Sequence, residues 1–184
     1  MRHLTPYQTA GAFAALFDRT HRIVFRYIRA VGGAALSAQD VEDMTGETYL
    51  RAWKTRGRFQ GDAEAALGWL LQIARRLVID SHRKRTRHPV AAVDDLDTVL
   101  PVADDSPEDA VLSAEQHRAL WGLIAALPEH QRDMIALRYV VGWQVKQIAA
   151  HLNVPENTIS VTLRRIINRL AQSLETENEV HHAH

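Results

Sequence analysis

The chain has no cysteine, which excludes disulfides, thiolate zinc sites and any redox sensing through its own thiols. It has no apolar run approaching the roughly 20 residues that span a bilayer, and the start MRHLTPYQTAG lacks the apolar core of a signal peptide. A cytoplasmic protein without membrane insertion is expected. Strand alternation and repeats of fixed period are absent too. Net charge is also lacking: 22 basic and 22 acidic side chains cancel, which taken alone argues against a nucleic-acid binder. What is present is a 46% hydrophobic share over 184 residues, enough to build one ordinary domain or two small ones.

The zero total hides two opposite segments. From Arg51 to His88 there are ten cationic side chains, Arg51, Lys54, Arg56, Arg58, Arg75, Arg76, Arg83, Lys84, Arg85 and Arg87, against the acidic Asp62, Glu64 and Asp80. From Pro89 to Glu115 there is no Lys or Arg, while Asp94, Asp95, Asp97, Asp104, Asp105, Glu108, Asp109 and Glu115 accumulate. A basic block is followed by an acidic one.

Apolar spacing predicts helices throughout. Phe13, Leu16, Phe17, Thr20, Val24, Tyr27, Ile28 and Val31 form one stripe, ended by Gly32-Gly33. Ser37 is placed to cap a second helix, in which Val41, Met44, Thr48 and Ala52 face inward and Asp40, Glu42, Asp43 and Glu47 occupy the other faces to about Trp53. Residues 56–66 read as a loop, and Leu67, Leu70, Ile73, Ala74, Leu77 and Ser81 as the buried stripe of a third helix. Residues 88–110, with three prolines and no sustained period, read as a linker. Beyond it, Ser113 to Gln116 has capping-box spacing, and Leu120, Trp121, Leu123, Ile124 and Leu127 mark a helix ended by Pro128. Further helices are predicted over 129–141, closed by Gly142, and over 145–152, closed by Asn153 in the left-handed conformation. A last helix is predicted from Glu156 towards Leu174, burying Ile159, Leu163, Ile166, Ile167 and Leu170.

The last two helices, separated by Asn153 to Pro155, fit a helix-turn-helix in which Ile148, Ala149, Leu152 and Val154 set the crossing angle. Asn157, Thr158, Ser160, Val161 and Arg164 then face a major groove. Spacing alone fits an ordinary helical hairpin in a core equally well.

The motifs carry more. ALPEHQRDMIALRYVVGWQVKQIAAHLNVPENTISVTLRRI resembles region 4 of extracytoplasmic-function (ECF) sigma factors of the sigma-70 family, in Leu127, Pro128, Gln131, Arg132, Leu137, Arg138, Tyr139, Gly142, Ile148, Ala149, Thr158 and Leu163. LuxR-type regulators share part of that pattern. DVEDMTGETYLRAWKTRGRFQGD and WLLQIARRLVIDSHRKRTR are similar to region 2 of the same sigma factors. The two modules follow in the family's order and together cover about Phe13 to Leu174.

The resemblance implies an all-α protein of two small helical domains joined by an acidic flexible linker. These are a region 2 bundle over 1–88, the linker over 89–112, and a region 4 helix-turn-helix over 113–177, with a disordered tail at 178–184. It implies binding to core RNA polymerase, through the clamp coiled coil and the flap, and to promoter DNA; an anti-sigma factor is a compatible partner. Core binding falls to Asp43, Glu47 and Tyr49, supported by Asp40 and Glu42. Where relatives often carry glutamine this chain has Gly46, which weakens the helix by about 0.8–1 kcal/mol relative to alanine. Opening and reading of the −10 element falls to Arg58, Gln60, Asp62, Trp69, Arg75, Arg76, Arg83 and Lys84, since cations track phosphates and a loop side chain reaches an unstacked base. Arg76 stands where many relatives have Asn. The −35 element falls to Asn157, Thr158, Ser160, Val161, Thr162, Arg164 and Arg165; relatives frequently place Lys or Arg at the positions of Ser160 and Thr162, so weaker phosphate attraction is expected here.

Extended at 3.3–3.6 Å per residue, residues 89–112 reach about 80 Å, beyond the roughly 60 Å separating the two elements in such promoters at 3.4 Å per base pair. The aspartates there fit a mimic of the nucleic-acid backbone inside basic polymerase channels, a shield for the basic block before core binds, or a merely solvated linker. No catalytic residue, metal site or cofactor is expected: the aspartates of DDLD and DDSPED lack a rigid second shell, and the ten histidines, VHHAH included, do not converge. The rival reading is a helix-turn-helix regulator that acts without polymerase, binding two-fold symmetric sites as a dimer.

Overall fold

The computed structural model describes residues 7–87 and 114–182, and the chain divides into two compact units between Ala92 and Val93. The acidic segment 89–112, the expected cap at Ser113 and the last two residues lie outside the described residues. Every regular element among the described residues is helical.

The first unit packs three long helices against one another: α1 (Ala10–Gly32), α2 (Ala38–Thr55) and α3 (Ala63–Arg87). Thr9 caps α1 by accepting from the Ala12 amide at 3.3 Å. Ser37 caps α2 in a full capping box, its hydroxyl accepting from the Asp40 amide and the Asp40 carboxylate accepting from the Ser37 amide at 2.8 Å. Leu16, Val24, Tyr27, Ile28, Val31, Val41, Leu70, Leu71 and Val78 are fully buried between the three, each aliphatic side chain contributing about 1.5–3 kcal/mol relative to exposure.

Two details of the third helix differ from the spacing argument. It starts at Ala63, because Asp62 caps it, so the loop is shorter than 56–66 and begins with a 3-10 turn at Arg56–Arg58. Its buried stripe is Ala66, Leu70, Leu71, Ala74 and Val78, with Leu67, Ile73, Leu77 and Ser81 only half-buried. Packing against two helices at once rotates the buried arc towards Leu71 and Val78.

The second unit lays α4 (Ala114–Ala125), α5 (Glu129–Ile135) and α6 (Val145–Leu152) against α7 (Glu156–His182). The predicted continuous helix 129–141 is in fact α5 followed by a π-helical turn at Ala136–Val140, closed by Gly142 at φ 81°. There the Val141 amide bonds to the Ala136 carbonyl at 3.0 Å, and Arg138 donates to the Trp143 carbonyl at 2.9 Å. The widened turn leaves Tyr139 61% exposed. Asn153 ends α6 in the left-handed region at φ 55°, ψ 48°, as expected. Ile159, Leu163, Ile166 and Leu170 are buried along α7, whereas Ile167 lies at the edge of that stripe and is exposed. With no glycine or proline after Pro155, α7 runs past Leu174 to His182, into the segment expected to be a disordered tail.

Candidate core-polymerase and promoter interfaces

Helix α2 turns Val41, Thr48, Tyr49 and Ala52 inward, which leaves the opposite face to Glu42, Asp43, Glu47 and Leu50. Glu42 and Asp43 are exposed, Asp43 accepting from Gln39 at 2.9 Å. Glu47 pairs with Arg51 at 2.7 Å, one turn on and open to solvent. Leu50 was not singled out from the sequence, yet it is 55% exposed in the middle of this acidic face. The available signal was its position directly across the helix from the Val41, Thr48, Ala52 stripe.

Two expected contact residues are engaged within the fold instead, Tyr49 by burial and Asp40 by its partners. Tyr49 is 5% exposed and hydrogen-bonded to Thr20 at 2.8 Å. The Thr20 hydroxyl already donates to the Leu16 carbonyl at 2.6 Å, so the Tyr49 phenol is the donor in their pair. Burial pushes that phenol up to about 12. Tyr49 joins α2 to α1, edge-on to Phe13 and Phe17, and has no surface to offer a partner. Asp40 is committed to the capping box and to an ion pair with Arg85 at 2.7 Å. Burial alone would raise its carboxyl, but the Ser37 hydroxyl and amide and the Arg85 guanidinium hold it below the usual carboxylate range.

The loop before α3 presents Arg58 and Gln60 to solvent on either side of Phe59, which is buried at 7%. Asp62 is exposed, but one carboxylate oxygen accepts from the Ala65 amide at 2.8 Å, so its part is to start the helix. Trp69 is half-buried with one ring face stacked on Phe59 at 4.8 Å and 25°. Along α3, Trp69, Gln72, Arg76 and Arg83 follow at helical spacing, the last three exposed. Gln72, unremarked in the sequence, lies within this row. Lys84 is exposed on a neighbouring face and Arg75 is half-buried. Arg56 and Arg85, part of the basic block in sequence, are structural staples: Arg56 lies 3.5 Å over the Trp53 ring, and Arg85 pairs with Asp40.

In the second unit, Ile148 and Ala149 are buried and Leu152 and Val154 half-buried where α6 meets α7. Opposite the buried stripe of α7 stand Asn157, Val161, Arg164 and Asn168, with Thr158 and Arg165 exposed beside them and Ser160 and Thr162 half-buried at the flanks. Asn168 was not anticipated; it continues the outward row one turn beyond Arg164. A helix crossing a short preceding helix with this polar, cation-bearing face has the geometry of a major-groove reader.

Among the described residues no cluster of His, Asp and Glu is arranged to hold a metal ion, and no helix is long and apolar enough to cross a membrane.

Comparison with known proteins agrees on both units. Residues 16–88 match Sigma-70 region 2 and residues 117–170 match Sigma-70, region 4. The ECF RNA polymerase sigma factor SigL of Mycobacterium tuberculosis is 30% identical over 167 residues, covering 90% of each chain. The ECF RNA polymerase sigma factor BldN of Streptomyces coelicolor is 34% identical over 167 residues, which span 90% of this chain and 61% of BldN. The sigma factor RpoE of Bartonella quintana, solved with the anti-sigma factor NepR, superposes with a TM-score of 0.58 at 26% identity, covering 86% of this chain and 96% of RpoE. CnrH, solved with the cytosolic domain of CnrY, shares the fold with a TM-score of 0.61 at 21% identity, over 91% of this chain and 90% of CnrH. A helix-turn-helix alone left a polymerase-independent regulator open, and the region 2 match ahead of it does not favour that reading. The protein belongs to the ECF RNA polymerase sigma factors, the subunits that bring core RNA polymerase to promoter DNA.

Proposed function

We propose that this sigma factor divides its work among three surfaces. The outer face of α2, with Glu42, Asp43, Glu47 and Leu50, docks on the clamp coiled coil of core polymerase. Arg58 and Gln60, with the row Trp69, Gln72, Arg76 and Arg83, capture and hold the opened −10 element. The outer row of α7, with Asn157, Val161, Arg164, Arg165 and Asn168, reads the −35 element. Residues 1–88 form the first working module, 89–112 the connection and 113–177 the second, which also engages the flap; action in the cytoplasm and the absence of catalysis follow from the same assignment. The observation that carries this reading is that acidic, loop-plus-cation and helix-turn-helix surfaces occur in one chain, each at a position that matches a sigma region.

An anti-sigma partner fits the same assignment. RpoE was solved bound to one, and Phe17, Leu50, Tyr139 and Ile167 are large apolar side chains left exposed here, as masking of either unit requires.

The deciding experiment is transcription in vitro from fragmented genomic DNA of the source organism, with core polymerase from that organism and the 5′ ends mapped. New core-dependent starts that share one asymmetric bipartite upstream motif are expected. Direct binding to symmetric sites without core, and no new starts with an active core, would overturn the reading.

A further inference from the structure

Residues ahead of the region 2 match pack onto the loop that precedes α3. Tyr7, 6% exposed, sets its ring 5.9 Å from that of Phe59, whose other neighbour is Trp69. Arg19 of α1 donates to the Tyr7 phenol at 3.3 Å. One residue on, the Gln8 carbonyl accepts from Arg56 Nε at 3.2 Å, and Arg56 also donates to the Trp53 carbonyl while its guanidinium covers the Trp53 ring. The loop is therefore held at Arg56 by Gln8 and Trp53, at Phe59 between Tyr7 and Trp69, and at Asp62 by its cap on α3.

Gly61 shows how closely it is held. A Cβ there would lie 2.8 Å from the Ala65 Cβ and 2.9 Å from Phe59 Cζ, nearer than side chains tolerate. Arg58 and Gln60 project from between these anchors. A loop fixed in this way meets an unstacked base without first losing its own conformational freedom, and a reader displaced by even about 1 Å loses much of its discrimination.

We propose that Tyr7 and Gln8 form a strap whose contacts with Phe59 and Arg56 position the loop bearing Arg58 and Gln60, so that residues ahead of the region 2 match set the base selectivity of promoter opening. Tyr7 is a positioning residue: it touches the loop, and the loop touches DNA. The inference rests on the assignment of that loop to the −10 element.

The test uses the full chain with core polymerase and a promoter from the mapped starts, carrying each of the four bases in turn at the positions of the −10 element. The readouts are the rate of strand opening on each template, the affinity for core, and helicity by circular dichroism. Tyr7→Ala is expected to leave core affinity unchanged and to reduce the preference for the favoured base by about fivefold or more. Tyr7→Phe, which keeps the ring and loses only the Arg19 bond, is expected to retain the preference. Arg56→Gln, which releases Gln8 together with the Trp53 contacts and leaves Tyr7 in place, is expected to act like Tyr7→Ala and decides the matter if Tyr7→Ala does not fold. Unchanged preference in a folded Tyr7→Ala or Arg56→Gln protein would overturn the strap, as would a parallel loss of core affinity and preference. The underlying assignment fails separately: Arg58→Ala and Gln60→Ala would then leave strand opening and preference untouched.

Discussion

Arg85, in the last turn of α3, donates to the Asp40 carboxylate, in the first turn of α2, at 2.7 Å. The pair joins the end of the proposed DNA-facing helix to the start of the proposed polymerase-facing one.

The pH dependence of that junction follows from the depressed Asp40 carboxyl. A depressed carboxylate stabilises the fold above the unfolded value, about 3.9, and that contribution disappears as pH falls through the lower folded value. Thermal unfolding of the wild type and Asp40→Asn should therefore differ near pH 6 and converge below about pH 4. A gap that stays constant with pH would sink the explanation. Arg85→Ala, at a pair open to solvent, should cost no more than about 1 kcal/mol.

Tyr49 tests whether a buried phenol serves the fold or a partner. Tyr49→Phe removes the bond to Thr20 and should lower stability by about 0.5–1.5 kcal/mol, with core affinity unchanged. Because burial raises the phenol to about 12, ionisation is resisted in the folded state. The wild type should lose stability relative to Tyr49→Phe as pH rises above about 10. Weakened core binding by Tyr49→Phe at neutral pH would restore the direct contact expected from sequence.

Leu50 is the apolar centre of the proposed docking face. Leu50→Ala should leave the melting temperature within experimental error, since the side chain is 55% exposed. It should weaken core binding by about fivefold or more, equivalent to about 1 kcal/mol or more. Titration of core polymerase with labelled protein measures both variants; equal affinities would remove Leu50 from the interface.

Gly46 sits exposed in the interior of α2, with nothing within 4 Å of the Cβ it lacks. Gly46→Ala should stabilise the first unit by about 0.8–1 kcal/mol, read as a higher melting temperature. A lower one would mean that the backbone there needs glycine for a reason absent from its surroundings.

Arg164 and Arg165 separate two kinds of contact on α7. Arg164, in the outward row, should on truncation to alanine cost about 1–3 kcal/mol on the preferred −35 sequence and relax its choice of base. Arg165, beside the row, should weaken all sequences alike and reduce the salt slope by about 0.9. Holoenzyme binding to promoter variants across a salt series distinguishes them.

Periodicity made most helices legible, because caps and breakers are local: Ser37, Asn153 and Gly142 each act within a turn of their own position. The widened turn after Ile135 was not legible, since α and π turns place apolar residues almost alike over five residues. Nor was the rotation of the buried arc on α3, which depends on two partner helices together. At the candidate sites, residue type named candidates without showing which of them the fold itself engages. Tyr49 and Asp40 were read as contact residues, because a sequence lists side chains without their partners. Leu50, Gln72 and Asn168 were passed over for the converse reason: each is an unremarkable side chain made conspicuous by the face it occupies.

Phe59 faces the protein while its two neighbours face outward, and this alternation separates what may vary from what must not. Substitutions at positions 58 and 60 change the chemistry the loop offers to solvent without disturbing the anchors at 56, 59 and 62. If that loop meets the −10 element as proposed, a single substitution at either outward position changes the promoter preference and keeps the folded unit.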